Sequence, residues 1–241
     1  MIKHFFKKVK DEIINLIYPC NITCEFCEND LFNNEFPNIC SKCYVNLPFI
    51  ANPCQKCGKE IVDNKCDHCT AVKPYFKKAI SVFSYNDQMI DIIHKFKFGG
   101  GFYLSKLFSH FLYKKYIQNH LSCDCVVAAP MNAKKLLSRK YNQAQLLVDE
   151  FCALSHLPDA SSCVVKDDIS SQRNLSSIAR KKNIYGSMKI IDNTLIRNKK
   201  VLIIDDVFTT GATTSELARI LKLQGATEIF VLTVCNVPNT K

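Results

Sequence analysis

Residues Val201 to Thr213 read VLIIDDVFTTGAT. The apolar run Val201 to Ile204 has the length of a parallel strand covered on both faces. Asp205 and Asp206 therefore fall where that strand reaches the carboxyl edge of its sheet, the edge at which open α/β sheets take their ligands. Thr209, Thr210 and Gly211 then turn the chain into a helix, with Thr213 the expected N-cap and Glu216 its capping-box partner three residues on. The free amides and positive dipole end of such a helix suit a phosphate. Two adjacent carboxylates do not, but they accept hydrogen bonds from ribose hydroxyls or face a hydrated magnesium ion. A phosphate turn beside a pair of diol acceptors describes a ribose 5-phosphate site.

The window resembles the phosphoribosyl pyrophosphate signature of type I phosphoribosyltransferases: apolar residues, two acids, then Val-Phe-Thr-Thr-Gly-Ala-Thr. The resemblance implies that Asp205 and Asp206 hold the ribose hydroxyls, as catalytic residues if the protein turns over. It also implies that Thr209, Thr210, Gly211, Ala212 and Thr213 wrap the 5-phosphate. The alternative is an ordinary βαβ unit with a solvated Asp-Asp turn, and the coincidence of acids and phosphate turn in one short window argues against it. Some proteins of this fold keep the cradle and act as regulators, so the pattern speaks for binding more strongly than for catalysis.

Outward from that window, strand and helix alternate. Lys77 to Tyr85 reads as a strand, Asp87 to Phe96 and Tyr103 to Ile117 as helices around Gly99-Gly100-Gly101, and Cys125 to Ala129 as a short buried strand. A basic loop follows, then a helix from about Asn142 to Leu154. Val201 to Val207, the helix to Leu223, the cap Gly225 and the strand Glu228 to Val234 complete a βαβ unit. The expected fold is α/β, a type I phosphoribosyltransferase-like, mainly parallel sheet with flanking helices.

The N-terminal part differs. Nine of the fourteen cysteines lie in the first 69 residues, and eight of them form four Cys-x-x-Cys pairs: Cys24/Cys27, Cys40/Cys43, Cys54/Cys57 and Cys66/Cys69. In a reducing compartment such pairs bind metal, and four pairs supply two closed four-cysteine zinc sites of a structural kind. Redox pairs and iron-sulfur ligation are the competing readings. Which pairs share an ion is open. Cys20 reads as a spare thiol, His68 as a surface imidazole, and the cysteines at 123, 125, 152, 163 and 235 as small core residues. Lys73-Pro74 punctuates the boundary between residues 1–72, an N-terminal helix with the double zinc-ribbon module, and residues 73–241, the phosphoribosyltransferase-like domain.

Charge divides the same way. Residues 1–72 hold eight lysines against nine acids, whereas residues 73–241 hold 24 basic groups against 13 acids, so the positive field belongs to the second part. It suits a polyanion such as pyrophosphate, a nucleotide or a DNA backbone. No apolar run approaches the roughly 20 residues that span a bilayer. Asp11 and Glu12 interrupt the first apolar segment, which makes a poor secretory signal. The expectation is a cytoplasmic protein, free or peripheral to the inner membrane.

Two further segments carry polar clusters. Pro130 to Gln143 puts cations and amides beside a strand end, as a pyrophosphate requires. Ser171 to Gly186, SQRNLSSIARKKNIYG, groups Gln172, Arg180 and Asn183. The order of four Cys-x-x-Cys pairs, Arg-x-Tyr-Asn-Gln-Ala, Gln-x-x-Leu-Ser-x-x-x-Arg-x-x-Asn and the cradle resembles the ComF family of competence-associated proteins. The resemblance implies a role in natural transformation, where incoming single-stranded DNA is handled in the cytoplasm. It places Met131, Arg139, Lys140, Asn142 and Gln143 at the pyrophosphate loop, and Gln172, Arg180 and Asn183 in the family's mobile segment. Tyr141 stands where the family usually has Phe, and Ala128 where it usually has Pro. The implied cofactors are two structural zinc ions, and magnesium bound with phosphoribosyl pyrophosphate.

Three functions from different classes fit these residues. One is a phosphoribosyltransferase whose acceptor is not readable. Another is a DNA-uptake factor that holds a single strand on interleaved cations and rings such as Lys95-Phe96-Lys97-Phe98. The third is an adaptor whose zinc module docks on a DNA-uptake helicase or pore component.

Overall fold

The computed structural model describes residues 23–31, 38–61, 66–71, 73–166 and 186–238. The chain forms two units, Met1–Leu47 and Pro48–Lys241. In the first, a Cys24–Cys27 knuckle is closed by a Thr23–Asp30 bridge, and Cys24 N–H donates to the Asn29 carbonyl at 2.8 Å. Helix α1 (Ser41–Val45) is capped by Cys40, whose Sγ accepts from Cys43 N–H.

The second unit begins with a similar knuckle, Cys54–Cys57, closed by a Pro53–Glu60 bridge and followed by α2 (Asp67–Ala71). The knuckle lies against β1 (Lys78–Ser84): Ala79 N–H donates to the Lys56 carbonyl at 2.8 Å. A Cβ on Gly58, at φ +71°, would stand 2.8 Å from the Ala79 oxygen, so only glycine permits this approach. Lys73-Pro74 groups both knuckles ahead of the sheet, whereas the packing groups the second knuckle with it.

β1 leads through α3 (Asp87–Phe98) and α4 (Leu104–Gln118) to β2 (Cys125–Ala128). Asn86 caps α3 by accepting from Met89 N–H. After β2 the sequence reading expects a basic loop, but a short helix, α5 (Ala133–Arg139), stands there. Asn132 caps it by accepting from Lys135 N–H at 3.0 Å, and its Ala, Lys, Leu and Arg residues are strong helix formers. α6 (Gln143–Ser155) follows, then the antiparallel pair β3 (Val164–Lys166) and β4 (Met188–Ile190), β5 (Lys200–Phe208), α7 (Ala212–Leu223) and β6 (Glu228–Asn236).

The central sheet is parallel throughout, in the order β1-β6-β5-β2. Val201 to Ile204 are wholly buried because each face is covered. Val201 and Ile203 join Ile229, Val231, Leu217, Leu221, Phe76 and Cys57 in one core cluster. α6 packs on β2 and β5, and α4 packs on α6, β1 and β6. No described helix is long and apolar enough to cross a membrane.

Candidate functional site

β2 ends at Ala128, opposite Ile204, while β6 runs beside β5 as far as Asn236, opposite Phe208. Asp205 and Asp206 thus sit on a strand that has lost one neighbour and kept the other, and a cavity of about 190 Å³ opens in the gap. Backbone amides orient both carboxylates. Asp206 N–H donates to Asp205 Oδ1 at 2.8 Å, and Val207 N–H to Asp206 Oδ1 at 2.7 Å. The other oxygen of Asp206 is buried. It forms an ion pair with Lys97 Nζ at 3.0 Å but accepts no hydrogen bond among the described residues. Apart from Lys97 no donor of the described residues meets this buried oxygen, which leaves it a lone pair for a ligand hydroxyl. Burial, and then the charge of Asp206, push the Asp205 carboxyl up to about 8.

Cations surround these acids. Lys97, Lys135, Arg139 and Lys166 line the same cavity. Burial and the neighbouring Lys135 charge lower the Lys166 pKa, against the opposing pull of Asp205. Two of these cations escaped the sequence reading. Lys97 belongs to a Lys-Phe alternation that suggests base stacking, and its ion pair depends on a strand more than a hundred residues away. Lys166 carries no local pattern at all.

A smaller cavity, lined by Thr209, Gly211, Ala212 and Thr213 along with Asp205, lies at the turn. Gly211 adopts φ +66°, and a Cβ there would stand 2.3 Å from the Phe208 ring, so the turn requires glycine at that position. α7 begins at Ala212 with Gly211 as N-cap and no side-chain cap. The expected capping box between Thr213 and Glu216 does not form. Glu216 instead accepts both Arg219 contacts at 2.8 Å, charged donors stronger than a backbone amide one turn back, and also the Gly186 N–H at 2.9 Å. Burial acts to raise its pKa, but Arg219 and the Gly186 amide outweigh it and hold the carboxyl below the usual range. Gly211 offers the first turn of α7 no side-chain cap, and Ala212 N–H makes only a long bond, 3.4 Å, to Thr210 Oγ1, so donors remain for an anion.

Of the expected pyrophosphate-loop residues, Met131, Arg139, Asn142 and Gln143 line the larger cavity. Lys140 takes a left-handed conformation at the end of α5 and is not among the lining residues. The two amides act largely as struts. Gln143, 1% exposed, donates to the Lys97 carbonyl at 3.3 Å and accepts from Arg139 at 3.0 Å. Asn142 donates to the Ala129 carbonyl at 3.3 Å and caps α6 through Ala144 N–H. The Tyr141 hydroxyl, which a Phe would lack, donates to the Phe96 carbonyl at 2.6 Å. Gln172, Arg180 and Asn183 lie outside the described residues.

The cysteines assemble in sequential pairs: Cys24, Cys27, Cys40 and Cys43 in one cluster, Cys54, Cys57, Cys66 and Cys69 in the other, with the sulfurs of each within 4.8 Å of one another. Sulfur separations of 3.7 Å for Cys27–Cys40, 3.8 Å for Cys54–Cys69 and 3.5 Å for Cys57–Cys66 match a small tetrahedral site. Arms of about 2.3 Å give edges of about 3.8 Å. Cys123, Cys125, Cys163 and Cys235 are buried and Cys152 partly so. Burial pushes the Cys125 and Cys163 thiols up to about 11, as expected of inert core residues.

The phosphoribosyl transferase domain family matches residues 171–241. Competence protein F of Haemophilus influenzae is 26% identical over 223 residues, covering 88% of this chain and 95% of that protein. Competence protein ComFC of Streptococcus pneumoniae is 29% identical over 209 residues, 83% of this chain and 88% of that one. DNA utilization protein YhgH of Escherichia coli is 24% identical over 205 residues, 82% and 89% respectively. With a type I phosphoribosyltransferase-like sheet following two four-cysteine clusters, the chain is similar along four fifths of its length to competence and DNA utilization proteins, in keeping with its resemblance to the ComF family.

Proposed function

We propose that the cavity at the end of β2 and β5 binds phosphoribosyl pyrophosphate with magnesium, in a protein that handles incoming single-stranded DNA during natural transformation. The observation that carries the ligand is the convergence at one sheet edge of the Asp205 and Asp206 carboxylates, four cations and, in an adjoining cavity, the turn at Thr209–Thr213 whose Gly211 N-cap offers no side chain. Asp205 and Asp206 accept from the ribose hydroxyls, the turn amides take the 5-phosphate, and Lys97, Lys135, Arg139 and Lys166 neutralise the pyrophosphate. Magnesium bound with the ligand would offset pyrophosphate charge, and Asp205 and Asp206 are the acids that would hold it. Each cysteine cluster holds one structural zinc ion. The names of the relatives support the biological setting.

Calorimetric titration of phosphoribosyl pyrophosphate with magnesium tests this reading. Wild type binds saturably, and Asp205→Asn/Asp206→Asn does not. Equal binding by both proteins would defeat it. Release of pyrophosphate in the same samples separates a transferase from a binding protein on the same fold. The DNA reading has its own support: Phe98, 55% exposed, is flanked by the His94 ring at 5.0 Å and the Arg139 guanidinium at 4.9 Å. Single-strand affinity that falls steeply with salt, and falls again in Phe98→Ala, is the expected result.

A further inference from the structure

His68 stands between Cys66 and Cys69 in α2, yet the metal cluster is complete without it. The sequence reading makes it a surface imidazole, but it is partly buried, with its ring 5.9 Å from that of Phe208. Its Nε2 lies 3.0 Å from the carbonyl oxygen of Thr210. A carbonyl only accepts, so Nε2 carries the proton. Nδ1 is buried and has no hydrogen-bond partner among the described residues, so the Thr210 bond is what the structure gives this ring to donate to.

The bond falls on the phosphate turn. In a trans peptide the carbonyl and the next amide point in opposite directions, so holding the Thr210 oxygen fixes the aim of the Gly211 N–H. Gly211 lines the small cavity of the cradle. The second cysteine cluster also reaches the turn by another route. The Phe208 ring, which blocks any side chain at Gly211, is met by Phe76 at 6.1 Å and by Lys59 Nζ at 6.0 Å. Lys59, two residues past Cys57 and 4% exposed, donates to the Val237 carbonyl, and Val237 N–H donates to Phe208 at 3.0 Å.

We propose that His68 is a positioning residue for the phosphate turn. By fixing α2, the second cysteine cluster holds the Thr210–Gly211 peptide so that its amide faces the 5-phosphate. The inference rests on the phosphoribosyl reading of the cradle, and a ligand-free measurement separates the two.

In the full-length, metal-loaded, ¹⁵N-labelled protein, His68→Ala moves the Gly211 and Ala212 amide resonances. His68→Gln, whose side-chain amide can reach the same carbonyl, restores them. In titrations with phosphoribosyl pyrophosphate and magnesium, His68→Ala weakens affinity roughly tenfold, the scale of one hydrogen bond, and His68→Gln recovers most of it, with metal content unchanged. Unmoved Gly211 and Ala212 resonances, or moved resonances with unchanged affinity, overturn the positioning role. A wild type that binds no ligand while His68→Ala still moves these resonances overturns the phosphoribosyl reading, and the role in phosphate binding with it, but confirms that His68 sets the turn.

Discussion

Replacing Asp205 with asparagine should stabilise the ligand-free protein at neutral pH while removing ligand binding. Burial and the Asp206 charge raise the Asp205 carboxyl from 3.8 to about 8. A native state with the higher pKa keeps its proton while the unfolded chain has already lost one, so stability falls as pH rises between those two values. At about 1.4 kcal/mol per pH unit the cost at pH 7 is bounded near 4 kcal/mol, and access of water to the cavity reduces it to about 1–2 kcal/mol. Asparagine cannot ionise, yet it keeps the oxygen that accepts from Asp206 N–H. Urea unfolding at pH 5 and pH 8 is the assay. Wild type loses stability across that window, and Asp205→Asn has a flatter profile and lies above wild type near pH 7. Asp206→Asn should do the opposite, losing about 2 kcal/mol because Lys97 is left partly buried and unpaired. A wild-type profile that is flat from pH 5 to pH 8, or an Asp205→Asn protein less stable than wild type at pH 7, would mean that Asp205 is not held protonated by its surroundings.

Other substitutions probe the scaffold. Gly211→Ala forces a Cβ to 2.3 Å from the Phe208 ring at φ +66°, and thermal unfolding should show a loss of about 2–4 kcal/mol. Cys57→Ala removes a fully buried thiol from the core cluster of the sheet, whereas Cys27 lies partly exposed in the unit Met1–Leu47. The melting temperature of the sheet should therefore fall well below wild type in Cys57→Ala and much less in Cys27→Ala. Lys97→Ala should weaken phosphoribosyl pyrophosphate more at low salt than at high salt, since it removes a cation of the cavity, and calorimetry at two ionic strengths reads the difference.

Much of this was legible in one strand and its sequel. Val201 to Ile204 could be read as doubly covered because nothing polar interrupts them, and the acids and turn could be placed because a buried strand must end at a sheet edge. The cysteine pairs announced metal, but their grouping did not follow from spacing, since Cys40 and Cys43 are compatible with either neighbour until the chain is folded. The capping box fails for a physical reason: the Arg219 guanidinium is a stronger partner for Glu216, and the Gly186 amide, distant in sequence, takes up the same carboxylate. α5 is hard to read because it has only seven residues and its apolar ones, Ala133, Leu136 and Leu137, stand among cations and are not buried. Lys97, Lys166 and His68 gain their roles only through partners on other elements, and no local pattern encodes such a meeting.

A co-crystal structure with ribose 5-phosphate would show whether the turn and the two acids form one sugar-phosphate site. The phosphate should lie against the amides of Thr209 to Thr213, with the ribose hydroxyls within hydrogen-bonding distance of Asp205 and Asp206. A saturating ligand bound elsewhere, with the cradle empty, would contradict it.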